Sequence, residues 1–426
     1  MDDPDFDKII SSLNKKDILN KEDILAIKNL HRMPKRLNLE NLKTLTIAGL
    51  LQLLGKCSAT LEDLNLDGTE ISGEGLESLL VLQQLEILNL SNCWKLTNTG
   101  LLQLLAKCSA TLEVLNLHAT FISGESLESL PLLKQLEKLD LGYCRNLTNT
   151  GLLQLLAKCS ATLKDLNLCG TEIYLESLPF LKQLEKVNLN CCGLTNEELL
   201  ELLAKYSATL KDLSLIDTEI SGEGLEGISL LKQLEKLNLE KCNKMTNKGL
   251  LELLGKCSAT LKDLNLYGTK ISGEGLESLP VLKQLEKVNL MFCDNLTNTG
   301  LLQLLAKCSA TLEDLYLNGT KISGEGLESL PVMEQLKKVN LGSCGNLTNT
   351  GLLQLLAKCS ATLKVLKLGG NRDEEMGISG EGLERLPRLK QLEELDLEEL
   401  EVETEPQAPD MQTGTFEQDI FLVYLV

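Results

Sequence analysis

The sequence predicts an α/β solenoid, a horseshoe of stacked units with a parallel sheet on its concave face and helices on its convex face. Three observations predict it. The motif LxxLxL returns along almost the whole chain, from about Pro34 to Leu397. Its spacing alternates between 24 and 27 residues, so that the pair recurs every 51. Aromatic residues make up only 3% of the chain while leucine is everywhere. A core built almost wholly of one side chain needs a regular lattice, and a fixed sequence period is how such a lattice is encoded.

The repeats come in two forms. LEDLNLDGTEISGEGLESLLVLQQ from Leu61 is a short repeat, and LEILNLSNCWKLTNTGLLQLLAKCSAT from Leu85 is a long one. The pair returns at Leu112, Leu163, Leu261, Leu312 and Leu363, with a shortened copy from Leu210. LNLENLKTLTIAGLLQLLGKCSAT, from Leu37, aligns with the long form and brings the total to about fifteen units. In LEDLNL, alternation points Leu61, Leu64 and Leu66 inward and predicts a short strand. In long repeats, Leu101, Leu104, Leu105 and Cys108 fall at i, i+3, i+4 and i+7, one face of a helix, with Thr97, Asn98 and Thr99 as candidate N-cap residues. In short repeats, Ser272 reads as an N-cap, with Pro280 ending a helix of about two turns. Gly273 and Gly275 recur in almost every short repeat, so their GxG spacing reads as structural.

Long repeats such as LEKVNLMFCDNLTNTGLLQLLAKCSAT, from Leu285, resemble the cysteine-containing leucine-rich repeat, whose pattern is close to LxxLxLxxCxxLTDxGLxxLxxxCxx. Short repeats look more like the ribonuclease-inhibitor type. The resemblance implies the leucine-rich-repeat fold and a non-catalytic role in protein recognition. The cysteine-containing subtype is familiar from F-box substrate-recognition subunits of ubiquitin ligases, which dock a Skp1-type adaptor. The short-repeat type implies two alternatives: a sensor of intracellular innate immunity, or an enzyme inhibitor with a basic target.

Fourteen cysteines bear on the compartment. Cys93, Cys144, Cys192, Cys242, Cys293 and Cys344 follow the strands of long repeats, and Cys57, Cys108, Cys159, Cys257, Cys308 and Cys359 close their helices. Successive members lie two repeats apart, roughly 10 Å at a strand spacing of ~4.8 Å, and a disulfide needs Cα atoms within ~7 Å. They read as buried free thiols in a reducing, cytoplasmic setting. No CxxC pattern and only two histidines, His31 and His118, argue against zinc. Cys169 and Cys191 fall outside these ladders, on neighbouring strands. They read either as an interacting pair or as two exposed thiols.

Internal copies can be compared with one another. Differences concentrate just after the strand, at Asp67, Ser91, His118, Gly142, Cys169, Asn190, Ile216, Glu240, Tyr267, Met291, Asn318 and Gly342, and at the next residue in long repeats, including Tyr143, Cys191, Lys241 and Phe292. The convex positions Gln103, Gln154, Gln303 and Gln354 barely change, which argues that the variation is selective rather than drift. Of thirteen aromatics, Trp94, Tyr143, Tyr267, Phe292 and Tyr316 fall on or beside this stripe. Exposed aromatics on a rigid surface are favoured binding hot spots. These five, with Arg145, Glu240 and Lys241 for charge complementarity, are the expected contact residues for a folded protein on the concave face. Trp94 has a second reading, as a cover over the leucine core.

The formal net charge of −19 disfavours nucleic acid and anionic membrane as partners. Catalytic, phosphate-binding and cofactor motifs are missing, and the histidines stand apart from any nucleophile. Residues 1–33 read as a short helical cap on the first repeat. FDKIISSLNKKDIL within them resembles the middle of an F-box, without its leading Leu-Pro or later Trp. The repeats occupy 34–400, with a longer loop at Arg372, Asp373 and Glu374. An acidic tail, 401–426, closes the chain with the apolar IFLVYLV.

Overall fold

A computed structural model describes residues 35–174, 178–369, 378 and 385–397. The expected N-terminal cap, the loop at Arg372–Glu374 and the acidic tail lie outside them. The chain divides into two compact units, Met1–Gly193 and Leu194–Val426.

In the first unit, seven strands pair in parallel and in sequence order: β1 (Arg36–Asn38), β2 (Asp63–Asn65), β3 (Ile87–Asn89), β4 (Val114–Asn116), β5 (Lys138–Asp140), β6 (Asp165–Asn167) and β7 (Lys186–Asn188). Helices α1 (Ile47–Cys57), α2 (Asn98–Leu105) and α3 (Asn149–Ala157) follow alternate strands. The second unit repeats the plan with β8 (Asp212–Ser214), β9 (Lys236–Asn238), β10 (Asp263–Asn265), β11 (Lys287–Asn289), β12 (Asp314–Tyr316), β13 (Lys338–Asn340), β14 (Val365–Lys367) and β15 (Glu394–Asp396). Its helices are α4 (Asn196–Tyr206), α5 (Asn247–Cys257), α6 (Asn298–Ala306) and α7 (Asn349–Ala357). The parallel order and regular repeat make this an α/β leucine-rich-repeat solenoid.

The leucine lattice is as the pattern requires. Leu61, Leu64 and Leu66 in and beside the strand and Leu101, Leu104 and Leu105 from the helix are all fully buried. Each helix starts on its threonine. The Thr97 hydroxyl accepts the N–H of Gly100, and Thr195 with Glu198 forms a reciprocal capping box.

Short repeats depart from expectation. Where these residues are described, they carry one 3-10 turn, such as Leu276–Ser278, rather than a two-turn helix. Gly275 precedes that turn at φ 88°, a left-handed conformation that no helix interior accepts. Leu279 then returns to ψ 140°, leaving three residues between. The same geometry holds at Leu76–Ser78, where Leu80 replaces the proline, so the left-handed residue is the determinant. Ser272 does not cap a helix. Its hydroxyl oxygen accepts from Asn247 Nδ2 at 2.7 Å and from the N–H of Glu274 at 3.3 Å.

The glutamines also have a different meaning. Gln103 Oε1 accepts the N–H groups of Gly75 and Leu76, both at 3.0 Å, and Gln154 Oε1 accepts that of Leu127. Glu252 takes the same role toward Leu225. The same oxygen is buried without a hydrogen-bond partner at Gln303 and Gln354. Their constancy is structural, so it is no control for drift on the opposite face.

The ladder cysteines are free, and all but Cys192 are buried. Burial pushes the Cys108, Cys257 and Cys308 thiols up to about 12. They are more than apolar filler. The Cys93 thiol and the Thr69 hydroxyl both donate to the Leu66 carbonyl, at 3.1 and 2.7 Å, and the arrangement recurs at Cys144 with Thr120. Cys192 is half-buried because its covering loop, Gly193 alone before Leu194, is one residue shorter than Trp94–Lys95.

Candidate functional site

The exposed face of each sheet is built from alternate strand residues. Asn65 points outward between the buried Leu64 and Leu66 and turns the chain after the strand, its Oδ1 accepting the N–H of Asp67 at 3.0 Å. Asn89, Asn116, Asn167, Asn238 and Asn265 do the same for the residue two places on. This fixes the direction of the stripe residues Ser91, His118, Cys169, Glu240 and Tyr267.

The residue after each stripe position has a left-handed backbone. Short repeats mostly place glycine there, as at Gly170 (φ 63°) and Gly319 (φ 71°). Long repeats do not. Asn92, Tyr143, Cys191, Lys241 and Phe292 all lie at φ 55–56°. A non-glycine residue in this region costs roughly 1–2 kcal/mol. Tyr143 and Phe292 are also 39% and 45% exposed.

These side chains form a contact row within each unit. In the first, Asn92 Nδ2 donates to Asp67 Oδ1 at 2.9 Å, and the His118 and Tyr143 rings meet edge to face at 5.3 Å. His118 Nδ1 lies 3.5 Å from Asp140 Oδ1. The Tyr143 hydroxyl lies beside Cys169 and Cys191, and those thiols, Cys169 above all, push it up to about 12. In the second unit, Lys241 Nζ sits 5.9 Å from the centre of the Tyr267 ring, which meets Phe292 edge to face at 5.4 Å. Glycines make room for the rings. A Cβ added to Gly170 would lie 2.7 Å from the Tyr143 ring, and one added to Gly319 would lie 2.5 Å from Phe292.

The other expected residues are placed as follows. Glu240 Oε2 accepts from Asn265 Nδ2 at 3.3 Å, and its other oxygen is 4.0 Å from Lys241 Nζ. Tyr316 lies within β12 rather than in the row. Its hydroxyl donates to Asp314 Oδ2 at 3.3 Å, Lys287 Nζ lies 5.8 Å from its ring centre, and burial above all raises its pKa. Trp94 lies in the loop over the buried Cys93 but is not itself buried. It is 49% exposed, with Lys95 Nζ 4.6 Å from its ring centre and ion-paired to Glu70 at 2.7 Å. Arg145 is exposed two residues beyond Tyr143, its N–H on the Tyr143 carbonyl. Trp94 and Arg145 belong to the loop beside the row.

The strand rows before the stripe neutralise their own charge. Lys164 pairs with Glu137 at 2.6 Å, Lys262 with Glu235 at 3.1 Å and Lys337 with Glu313 at 2.8 Å, each on adjacent strands. The aromatic row is therefore flanked by paired charges, not by a bare acidic field.

The sequence reading missed a second exposed set. Val81, Leu132, Phe180, Leu230, Val281 and Val332 occupy one position of successive short repeats, and all are exposed. The signal was available, since that position is apolar in each of those copies. Among the described residues, no group of three His, Cys, Asp or Glu side chains is arranged to hold a metal ion. No helix there is long and apolar enough to cross a membrane.

A family model described as Leucine Rich repeat matches residues 57–80, 257–279 and 308–330. Each window runs from a helix-closing cysteine through the next short repeat. Among solved structures, the chain is similar to a crystal structure of the Rad7 and Elc1 complex in yeast, at 20% identity and a TM-score of 0.36, covering 66% of this chain and 82% of that one.

Proposed function

The chain is a leucine-rich-repeat protein of the cysteine-containing type, and from that premise we propose that it is a non-catalytic scaffold that binds a folded protein on the exposed face of its sheet. The observation that carries the reading is the placement of Tyr143 and Phe292. Each is an exposed ring at a left-handed backbone position; glycine holds that position in the repeat after Tyr143 (Gly170) and in the repeats on both sides of Phe292 (Gly268 and Gly319), while Ala119 holds it before Tyr143. Glycine would relieve the strain, and the ring contacts with His118 and Tyr267 roughly offset it, so the fold itself gains little from the rings. Backbone strain and exposed aromatic surface both concentrate at functional positions.

In this reading Tyr143 anchors the row of the first unit, and Tyr267 with Phe292 anchors that of the second. Trp94 and Arg145 extend the contact along the loop side, Tyr316 extends it into the strand row, and Glu240 with Lys241 supplies matched charge. A folded partner suits an exposed row of this kind, in either unit, better than a small molecule does. The self-paired charges beside the row do not favour the inhibitor alternative, which needs an acidic face for a basic target.

The finer role we propose is that of an adaptor presenting such a partner to a ubiquitin ligase, a reading supported by the repeat subtype. The test is affinity capture with the full chain and with a Tyr143→Ala, Tyr267→Ala, Phe292→Ala variant. Loss of the same bound proteins from the variant supports recognition by the row. An unchanged set sinks it. Capture of a Skp1-type adaptor that disappears when residues 1–33 are removed supports the adaptor role, and its absence from the intact chain's partners counts against it.

A further inference from the structure

The row of the first unit ends in two thiols. Cys169 follows β6 and is half-buried, and Cys191 follows β7 and is exposed. Asn167 is level with Asn188, and the Gly170 N–H donates to the Asn190 carbonyl at 2.8 Å, so Cys191 lies one strand across and one residue beyond Cys169. With ~4.8 Å between strands and ~3.3 Å per residue, their Cα atoms come roughly 6 Å apart, inside the ~4.4–6.8 Å range of disulfides. Each thiol lies close enough to the other and to the Tyr143 hydroxyl to shift ionisation there. Their relationship is that of His118 to Tyr143 and of Tyr267 to Phe292, whose side chains also touch between a short repeat and the long repeat after it.

We propose that Cys169 and Cys191 are an oxidisable dithiol that reacts with a peroxide and closes to a disulfide. The exposed Cys191 attacks first, as thiolate. Its sulfur bonds to one peroxide oxygen, the O–O bond breaks, and the other oxygen leaves as water or an alcohol after taking a proton. The Cys169 sulfur then attacks the resulting sulfenic acid. The S–S bond forms, the S–O bond breaks, and water carries away the hydroxyl with the Cys169 proton. The two thiols have lost two protons and two electrons, and the peroxide has been reduced.

The fold makes this pair selective. The other thiols of the first unit are sealed in the core, with burial holding Cys57 at about 11 and Cys108 and Cys159 at about 12. Cys192, next to Cys191 in sequence, is turned the other way, its thiol donating to the Leu168 carbonyl at 3.2 Å. Cys169 itself is raised, by burial above all, while its bond from Tyr143 pulls it down. That suits the second nucleophile rather than the first, since thiolate is the reactive form.

The test treats the full chain with hydrogen peroxide, alkylates the remaining thiols, digests with trypsin and reads the peptides by mass spectrometry. The expected product is the Cys169 peptide, 165–182, joined to the Cys191 peptide, 187–205, lighter by two hydrogens. The link should persist in Cys192→Ser. In Cys169→Ser it should vanish, and dimedone should trap a sulfenic acid on Cys191. Both changed residues lie outside the sealed core. A link that needs Cys192, links between chains, or Cys191 oxidised past sulfenic acid without any link would each overturn the proposal.

Discussion

The Phe292 ring meets the Tyr267 ring edge to face at 5.4 Å, from a residue whose own backbone sits at φ 55°. Contact and strain oppose each other here. Relief of the left-handed conformation is worth about 1–2 kcal/mol, and the ring pair about 0.5–1.5 kcal/mol beyond its buried area. Phe292→Gly should therefore shift stability by less than about 1 kcal/mol in urea titrations. Leu290→Ala, in the sealed core two residues earlier, should lose about 2–5 kcal/mol. A Phe292→Gly loss as large as the Leu290→Ala loss would make the ring a fold element rather than a recognition element.

Gly273 and Gly275 separate strain from space. Both have φ near 80–88°, but a Cβ on Gly275 meets nothing within 4 Å, whereas one on Gly273 would lie 2.9 Å from Gly300 Cα. Gly275→Ala should cost about 1–2 kcal/mol from backbone conformation alone. Gly273→Ala should cost clearly more, because it collides with the backbone of the next helix start. Thermal unfolding of the two variants side by side checks the order, and equal losses would contradict it.

Gln103 holds the N–H groups of Gly75 and Leu76. Gln103→Ala leaves both without that acceptor and should lose about 1–3 kcal/mol. Gln103→Glu should be nearly neutral, since Glu252 already does this for Leu225. Denaturant titration distinguishes the two outcomes.

The buried thiols predict alkaline sensitivity. An unfolded cysteine ionises near pH 8.5, while Cys108, Cys257 and Cys308 hold their protons to about 12 in the fold. Between those values the unfolded chain binds fewer protons than the folded one, so stability falls as pH rises. The full contribution is present below about pH 8.5 and is lost progressively toward pH 12. Each such thiol adds up to about 1.4 kcal/mol per pH unit to the slope. Denaturant midpoints between pH 8 and 11 measure it. A Cys257→Ala, Cys308→Ala variant should show a shallower slope than the parent, and an identical slope would mean that other groups carry the effect.

Much of the architecture was legible because it rests on periodicity. Leu64 and Leu66 alternate and must share a face, and Leu61 joins them from just before the strand. Leu101, Leu104 and Leu105 follow helical spacing, and Thr97 precedes them as a cap. None of this depends on distant parts of the chain. The free ladder cysteines were legible for the same reason, since two repeats set too great a distance for a disulfide.

What the sequence alone could not decide turns on backbone conformation and on contacts between repeats. Nothing local distinguishes Ser272 as a helix cap from Ser272 as a loop residue held by Asn247; the left-handed Gly275 settles it by blocking the helix. Gln103 looked free because its partners lie 27 and 28 residues away. Tyr143 looked like one variable residue among many, and only the fold sets it at φ 55° over Gly170, against His118 and beside Cys169. The physical reason is that a repeat determines its own strand and helix, while the surface is made by residues that meet only when repeats stack.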